Sequence, residues 1–166
     1  MTPETMTWAG RTQAGLKKPK LRFISTEKYP LTKKALQQTL ALWPEFALFS
    51  QQLLTQYPDV SEQAHENEQL KGTSCQCLFF DDHVCLELHF DDATQAFSRL
   101  HTRKAGIVDA WYLDGFSPQK NPDMWTLPLF DEIERLSKDQ ATLATFTSAG
   151  IVKRQLTSHG FRVIKH

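Results

Sequence analysis

Apolar and polar positions along this chain change period several times, and each change marks an element. Leu21 to Thr26 reads as a short strand ending at Glu27. Leu36, Leu40 and Trp43 then recur at helical spacing, after Thr32, whose hydroxyl suits a helix start, and before Pro44, which stops a helix. A second helical piece covers about residues 45–56 with Leu48 and Leu53 or Leu54. Residues 59–73 are polar and read as a loop. Residues 75–80 and 83–90 are two β-like runs joined across Asp81-Asp82, hence a hairpin. Residues 92–100 read as a short helix. Ile107 to Leu113 is an apolar run that stops abruptly at Asp114-Gly115, the pattern of a buried strand. Leu129, Phe130, Ile133 and Leu136 form the apolar stripe of a helix with Pro128 in its first turn. A strand at 142–146, a helix at 149–158 closed by Gly160, and a last strand at 161–164 complete the series. Residues 1–20 are polar, with Gly10, Gly15 and Pro19, and read as a lead-in with a short helix at about 8–16.

Repeated alternation of strand and helix predicts an α/β layer fold with a mostly parallel sheet. A length of 166 residues suits one domain, and 40% hydrophobic with 23% charged content suits a globular one. The net charge is zero, so no global field draws the chain to nucleic acid or to a membrane. Any RNA contact would use local patches: Lys17, Lys18, Lys20 and Arg22; Arg99, Arg103 and Lys104; Lys153 and Arg154. Solvated faces are the plainer reading of each. Three cysteines, Cys75, Cys77 and Cys85, suggest no disulfide framework and fit a reducing cytoplasm. No secretory leader and no membrane-spanning run is expected.

Chemistry is expected at strand ends, because ligands of open α/β sheets gather at the carboxyl ends of their strands. Asp114 stands at such an end, followed by a Pro-rich loop able to shape a pocket. Its plainer reading is a turn cap, with Phe116 as core. Glu27 ends the first strand, where an acid accepts two ribose hydroxyls at once. Its alternative is a surface acid paired with Lys28. His83, Cys85, Glu87 and His89 share one strand face, but spread along an extended strand they do not converge on one ion, and no metal site is expected. Thr145, Thr147 and Ser148 read as turn and capping groups.

Three motifs carry a family resemblance: F-I-S-T-E-K-Y-P-L-T, D-A-W-Y-L-D-G-F-S-P-Q-K-N-P-D-M-W and T-L-A-T-F-T-S-A-G. The stretch from Leu21 to Val163 resembles the methyltransferase domain of the MnmC family of bifunctional tRNA-modifying enzymes. The resemblance implies a class I, Rossmann-like fold. It implies transfer of a methyl group from S-adenosylmethionine to the aminomethyl nitrogen of a modified wobble uridine in tRNA. It places Glu27 on the cofactor's ribose and Asp92 on its adenine side, where Asp91 departs from the family's Gly. Asp92 is equally the cap of the following helix. It places Asp114 at the substrate amine, as proton acceptor or partner of the growing ammonium. Phe116 and Trp125 are candidates for stacking on the target base, with core packing the alternative. Lys120 and Asn121 are candidates for RNA phosphate or ribose, with a solvated loop the alternative.

One family feature has no counterpart. A Gly-rich turn of the G-F-G-T-G type precedes the matched region in the family, on a strand expected between those ending at Glu27 and Asp114. No such turn occurs in this sequence, and the family's closing hairpin after residue 165 is also missing. The expected organisation is therefore a lead-in or helix remnant at 1–20 and a partial methyltransferase domain at 21–166. The family's flavin-dependent oxidase is expected as a separate domain or partner. The alternative function is a catalytically inactive fragment serving at most as a binding module.

Overall fold

The structure is a computed structural model, described for residues 20–59, 70–79, 83–102, 105–115 and 117–164. The expected helix at 8–16, the Asp81-Asp82 turn and most of the 59–73 loop lie outside these residues. Strand β1 (Leu21–Thr26) is followed by helix α1 (Lys33–Leu40), a 3-10 turn at Pro44–Phe46 and helix α2 (Ala47–Gln56). Strands β2 (Thr73–Phe79) and β3 (Val84–Phe90) form the expected hairpin, and helix α3 (Ala93–Ser98) follows. Strand β4 (Val108–Leu113), a 3-10 turn at Pro122–Trp125, helix α4 (Leu127–Leu136), strand β5 (Ser137–Thr145) and helix α5 (Gly150–Ser158) complete the order.

Among the described residues the strands divide into two sheets. In the first, β3 lies between β1, which it pairs in parallel, and β2, which it pairs antiparallel. The second holds only β4 and β5, in parallel. Among the described residues β1 and β4 therefore each pair along one edge only. This is the α/β architecture expected, with the sheet interrupted between the strands ending at Glu27 and Asp114.

Local signals account for most boundaries. Thr32 caps α1 by accepting a hydrogen bond from the Ala35 amide at 3.2 Å. Pro44 does more than end that helix: its fixed φ suits the first turn of the 3-10 segment leading into α2. Gly160, at φ +85°, closes α5 while the Phe161 amide reaches back to the Leu156 carbonyl. Gly106, at φ +67°, lies so close to the Ser137 carbonyl that a side chain there would collide with backbone.

The main core lies between α3, α4, α5 and one face of β4. All four stripe residues of α4, Leu129, Phe130, Ile133 and Leu136, are buried with Trp111, Leu113, Val152 and Leu156. A smaller cluster, Tyr57 and Phe90 with Leu36, Leu53 and Leu88, holds α1 and α2 on the first sheet. The Tyr57 hydroxyl donates to the Leu31 carbonyl at 2.9 Å, and burial, aided by Cys75 and Glu27, pushes its pKa up to about 12.

Three expectations need correction. β4 is not buried on both faces: Trp111 and Leu113 point inward, whereas Tyr112 is 70% exposed. β5 starts at Ser137 rather than 142 and ends at Thr145, leaving Phe146 outside it. The extra residues form an irregularity in which Gln140 takes φ +68°. Residues 161–164 make no strand. Phe161 and Val163 pack against the main core, but the backbone finds no ladder, so burial alone produced the strand-like alternation.

Candidate active site

Parallel pairing of β1 with β3 sets Thr26 opposite His89, and the Glu27 amide donates to the His89 carbonyl at 2.9 Å. The first sheet thus delivers Glu27 beside the end of β3, where Asp91 and Asp92 follow. Glu27 is exposed, and one carboxylate oxygen accepts from the Tyr29 amide at 2.7 Å, which fixes its direction. Asp92 caps α3 through the Thr94 amide at 3.0 Å, while its other oxygen lies 3.6 Å from Lys28 Nζ. The cap and a ligand role are compatible, because the side chain remains partly exposed. Lys28, the alternative partner weighed for Glu27, lies beside Asp92, the neighbouring strand's acid.

Asp91 is buried and structural. Its oxygens accept from the Asp92 amide at 2.8 Å and from Arg99 at 2.8 Å. Its backbone does not adopt a positive φ, so replacement of the family's Gly imposes no strain at this point.

Asp114 leaves β4 directly after the buried Leu113 and is exposed. Among the described residues it has no ion pair. Gly115 lets the chain turn against Met124, since a Cβ there would meet the Met124 sulfur. Ser117 then closes a turn, its carbonyl accepting from the amides of Lys120 at 2.8 Å and Asn121 at 3.0 Å. The Lys120 side chain is exposed and Asn121 is half-buried. Trp125 is buried, its ring tilted against Phe130 at 6.5 Å between centroids, so it serves the core rather than a base. Phe116 lies outside the described residues. Asp114 ends the second sheet and Glu27 and Asp92 the first; no hydrogen bond or ion pair among the described residues joins the two groups.

The polar face of β3 has a different use from ligand binding. Glu87 is buried and accepts from Arg22 at 2.9 and 2.6 Å, with His89 Nε2 at 2.7 Å. Burial pushes its carboxyl upward, but the hydrogen bonds from Arg22 and His89 outweigh this and hold it below the usual carboxylate value. Its lone pairs are occupied, and among the described residues no cluster of three suitable ligands can hold a metal ion. The cysteines are free thiols, and burial pushes Cys77 up to about 11, far from a reactive thiolate. Arg22 and Arg99 are paired with acids, and among the described residues of the patches noted above Lys20, Lys153 and Arg154 are exposed; Lys17, Lys18, Arg103 and Lys104 lie outside the described residues.

The sequence profile described as S-adenosyl-L-methionine-dependent methyltransferase matches residues 44–166. The chain belongs to this methyltransferase family. Curated relatives agree. A protein of Aeromonas hydrophila named tRNA 5-methylaminomethyl-2-thiouridine biosynthesis bifunctional protein MnmC is 46% identical over 147 residues, 88% of this chain and 20% of that protein. The protein of the same name from Pseudomonas savastanoi is 48% identical over 145 residues, 87% and 20% of the two chains. That of Ectopseudomonas mendocina is 44% identical over 156 residues, 94% and 22%. This chain thus spans about a fifth of the length of the relatives it matches. The family's cofactor is S-adenosylmethionine. The end of the first sheet suits it: two solvent-accessible carboxylates on neighbouring strand ends, Glu27 and Asp92, are of the kind that accept from its hydroxyl- and amine-rich nucleoside. Among the described residues no helix is long and apolar enough to cross a membrane.

Proposed function

We propose that this chain transfers a methyl group to the aminomethyl nitrogen of a modified wobble uridine in tRNA, the step that the MnmC relatives' name implies. One observation carries the reading: Asp114 stands exposed and unpaired among the described residues, on a rigid strand end. Bound S-adenosylmethionine supplies an electrophilic methyl carbon on sulfur. Glu27 holds the ribose hydroxyls and Asp92 the adenine side. Asp114 either accepts a proton from the substrate ammonium, freeing the nitrogen lone pair, or, where the amine arrives already neutral, stays charged and stabilises the ammonium that forms as the carbon–sulfur bond breaks. On this reading Lys120 and Asn121, on the turn after Asp114, contact RNA phosphate or ribose. Holding amine and methyl carbon in line supplies much of the remaining rate. The flavin-dependent oxidase chemistry of the family belongs to another domain. Free thiols suit a cytoplasmic setting.

A second reading has one observation in its favour. The sheet is interrupted between β1 and β4, the place where the family's Gly-rich strand belongs, which favours a binding module without turnover. Labelled methyl transfer from S-adenosylmethionine to tRNA carrying 5-aminomethyl-2-thiouridine separates the two. Transfer lost in Asp114→Ala supports the enzyme; cofactor binding without any transfer supports the module.

A further inference from the structure

The second sheet has one covered face and one bare one. Trp111 and Leu113 turn into the core, and Leu143 packs against it. The intervening positions, Ala110, Tyr112, Thr142 and Ala144, are exposed. Phe146 continues this series just beyond β5 and is 91% exposed, the highest value among the large apolar side chains of the described residues. It is not on a frayed end. The Thr145 hydroxyl accepts from the Thr147 amide at 3.3 Å, and the Thr147 hydroxyl accepts from the Ala149 amide at 3.3 Å. Phe146 therefore occupies the apex of a hydrogen-bonded turn that presents it outward.

Register brings this ring to the reaction end of the sheet. Ala110 pairs with Thr142, and the ladder runs to Leu113 opposite Thr145. The next residue of one strand is Asp114 and of the other is Phe146, so they leave the sheet as neighbours, with strand spacing of roughly 4.8 Å. An exposed carboxylate and an exposed aromatic ring at adjacent strand ends form a two-part surface. The carboxylate suits a cation, and the ring suits a planar heteroaromatic face.

We propose that Phe146 is the platform on which the substrate's base stacks, beside Asp114, which takes the amine. This rests on the methyltransferase reading and adds a substrate-binding residue to it. The substrate is that of the methyltransferase reading, and the geometry accommodates it. A pyrimidine carrying its amine on a one-carbon arm lies flat on the ring while the arm reaches past the ring edge to the carboxylate. A ring without the arm keeps the stacking and loses the ion pair. A flexible amine without a ring keeps only the ion pair. Stacking of this kind is tolerant of ring size, so another aromatic side chain serves in place of Phe146.

The test measures equilibrium binding of two RNA hairpins to the full chain by fluorescence anisotropy. One hairpin carries a single 5-aminomethyluridine in its loop and the other carries uridine. Phe146→Ala is expected to weaken both hairpins by about tenfold or more, and Phe146→Trp to stay within about threefold of the wild type. Both variants should retain the thermal melt and the affinity for S-adenosylmethionine. The proposal is overturned if Phe146→Ala binds within about twofold of the wild type, or if the wild type binds neither hairpin. Loss of the cooperative melt in both variants also overturns it, because Phe146 would then be packed rather than presented. Should alanine alone unfold the chain, a loss beyond threefold in Phe146→Trp overturns it. Binding that depends on Phe146 without methyl transfer would instead remove the functional reading and leave the platform in place.

Discussion

The two strand ends that carry the candidate site use their carboxylates in opposite ways. After β1 and β3, every acid is engaged by the fold: Glu27 by the Tyr29 amide, Asp91 by Arg99 and the Asp92 amide, Asp92 by the Thr94 amide and Lys28. After β4, Asp114 is exposed and has no ion pair among the described residues. A group that orients a cofactor gains from being held. A group that accepts a proton must be reachable and must not already be neutralised. The difference is what a division of labour between the two sheets requires. The packing follows the same division: the half with Asp114 rests on the main core, whereas α1 and α2 contain no buried residue.

The sharpest way to break this comparison is to damage the cores separately. Ile133, fully buried in α4, should cost about 2–5 kcal/mol when replaced by alanine. Gly106→Ala should cost about 2 kcal/mol or more, because its φ is positive and the backbone of Ser137 and Lys138 blocks the new carbon. Denaturant titration reads both. Equal losses from Leu53→Ala in the smaller cluster would show that the halves are equally well packed.

A smaller effect is a pH dependence with one limb from each half. Glu87 is held below its usual value, so its contribution is present above pH 4.5 and is lost as pH falls through the depressed folded value. His159 is raised by the Gln155 carbonyl at 2.7 Å and, against burial, by Asp131 at 3.1 Å with help from Glu134. Its contribution is fully present below pH 6.5 and is lost as pH rises through the raised folded value. Melts across pH should lose the acid limb in Glu87→Gln and the alkaline limb in His159→Asn, each leaving the other limb intact.

The smallest changes are at the surface. Gln140→Gly should stabilise by a few tenths to about 1 kcal/mol, since glycine takes φ +68° without strain. Leu48, 78% exposed on α2, should tolerate glutamine within about 0.5 kcal/mol.

Elements with strong local punctuation were legible in the sequence. Thr32, Pro128 and Gly160 mark helix ends through their own chemistry, and the α4 stripe is buried at every position expected. The run from Ile107 to Leu113 looked buried on both faces, but its apolar letters could not reveal that one face of the second sheet stays bare. Residues 161–164 had the alternation of a strand and lacked a partner, which only tertiary pairing decides. Glu27 and Asp114 stand just beyond strand ends, as their positions in the sequence led one to expect. The Lys28–Asp92 ion pair and the exposure of Phe146 were not legible. Lys28 acts across strands, so its partner is distant in sequence, and Phe146 had the composition of a strand residue although two threonine hydroxyls turn the chain around it.

The most direct test of this division is a paired substitution with two readouts on the same samples: calorimetric binding of S-adenosylmethionine and labelled methyl transfer to tRNA bearing 5-aminomethyl-2-thiouridine. The account expects Glu27→Ala to weaken cofactor binding by about tenfold or more. It expects Asp114→Ala to leave that binding within about twofold while reducing transfer by about 10² or more. Transfer by Asp114→Ala at close to the wild-type rate, or loss of cofactor binding in that variant, would contradict it.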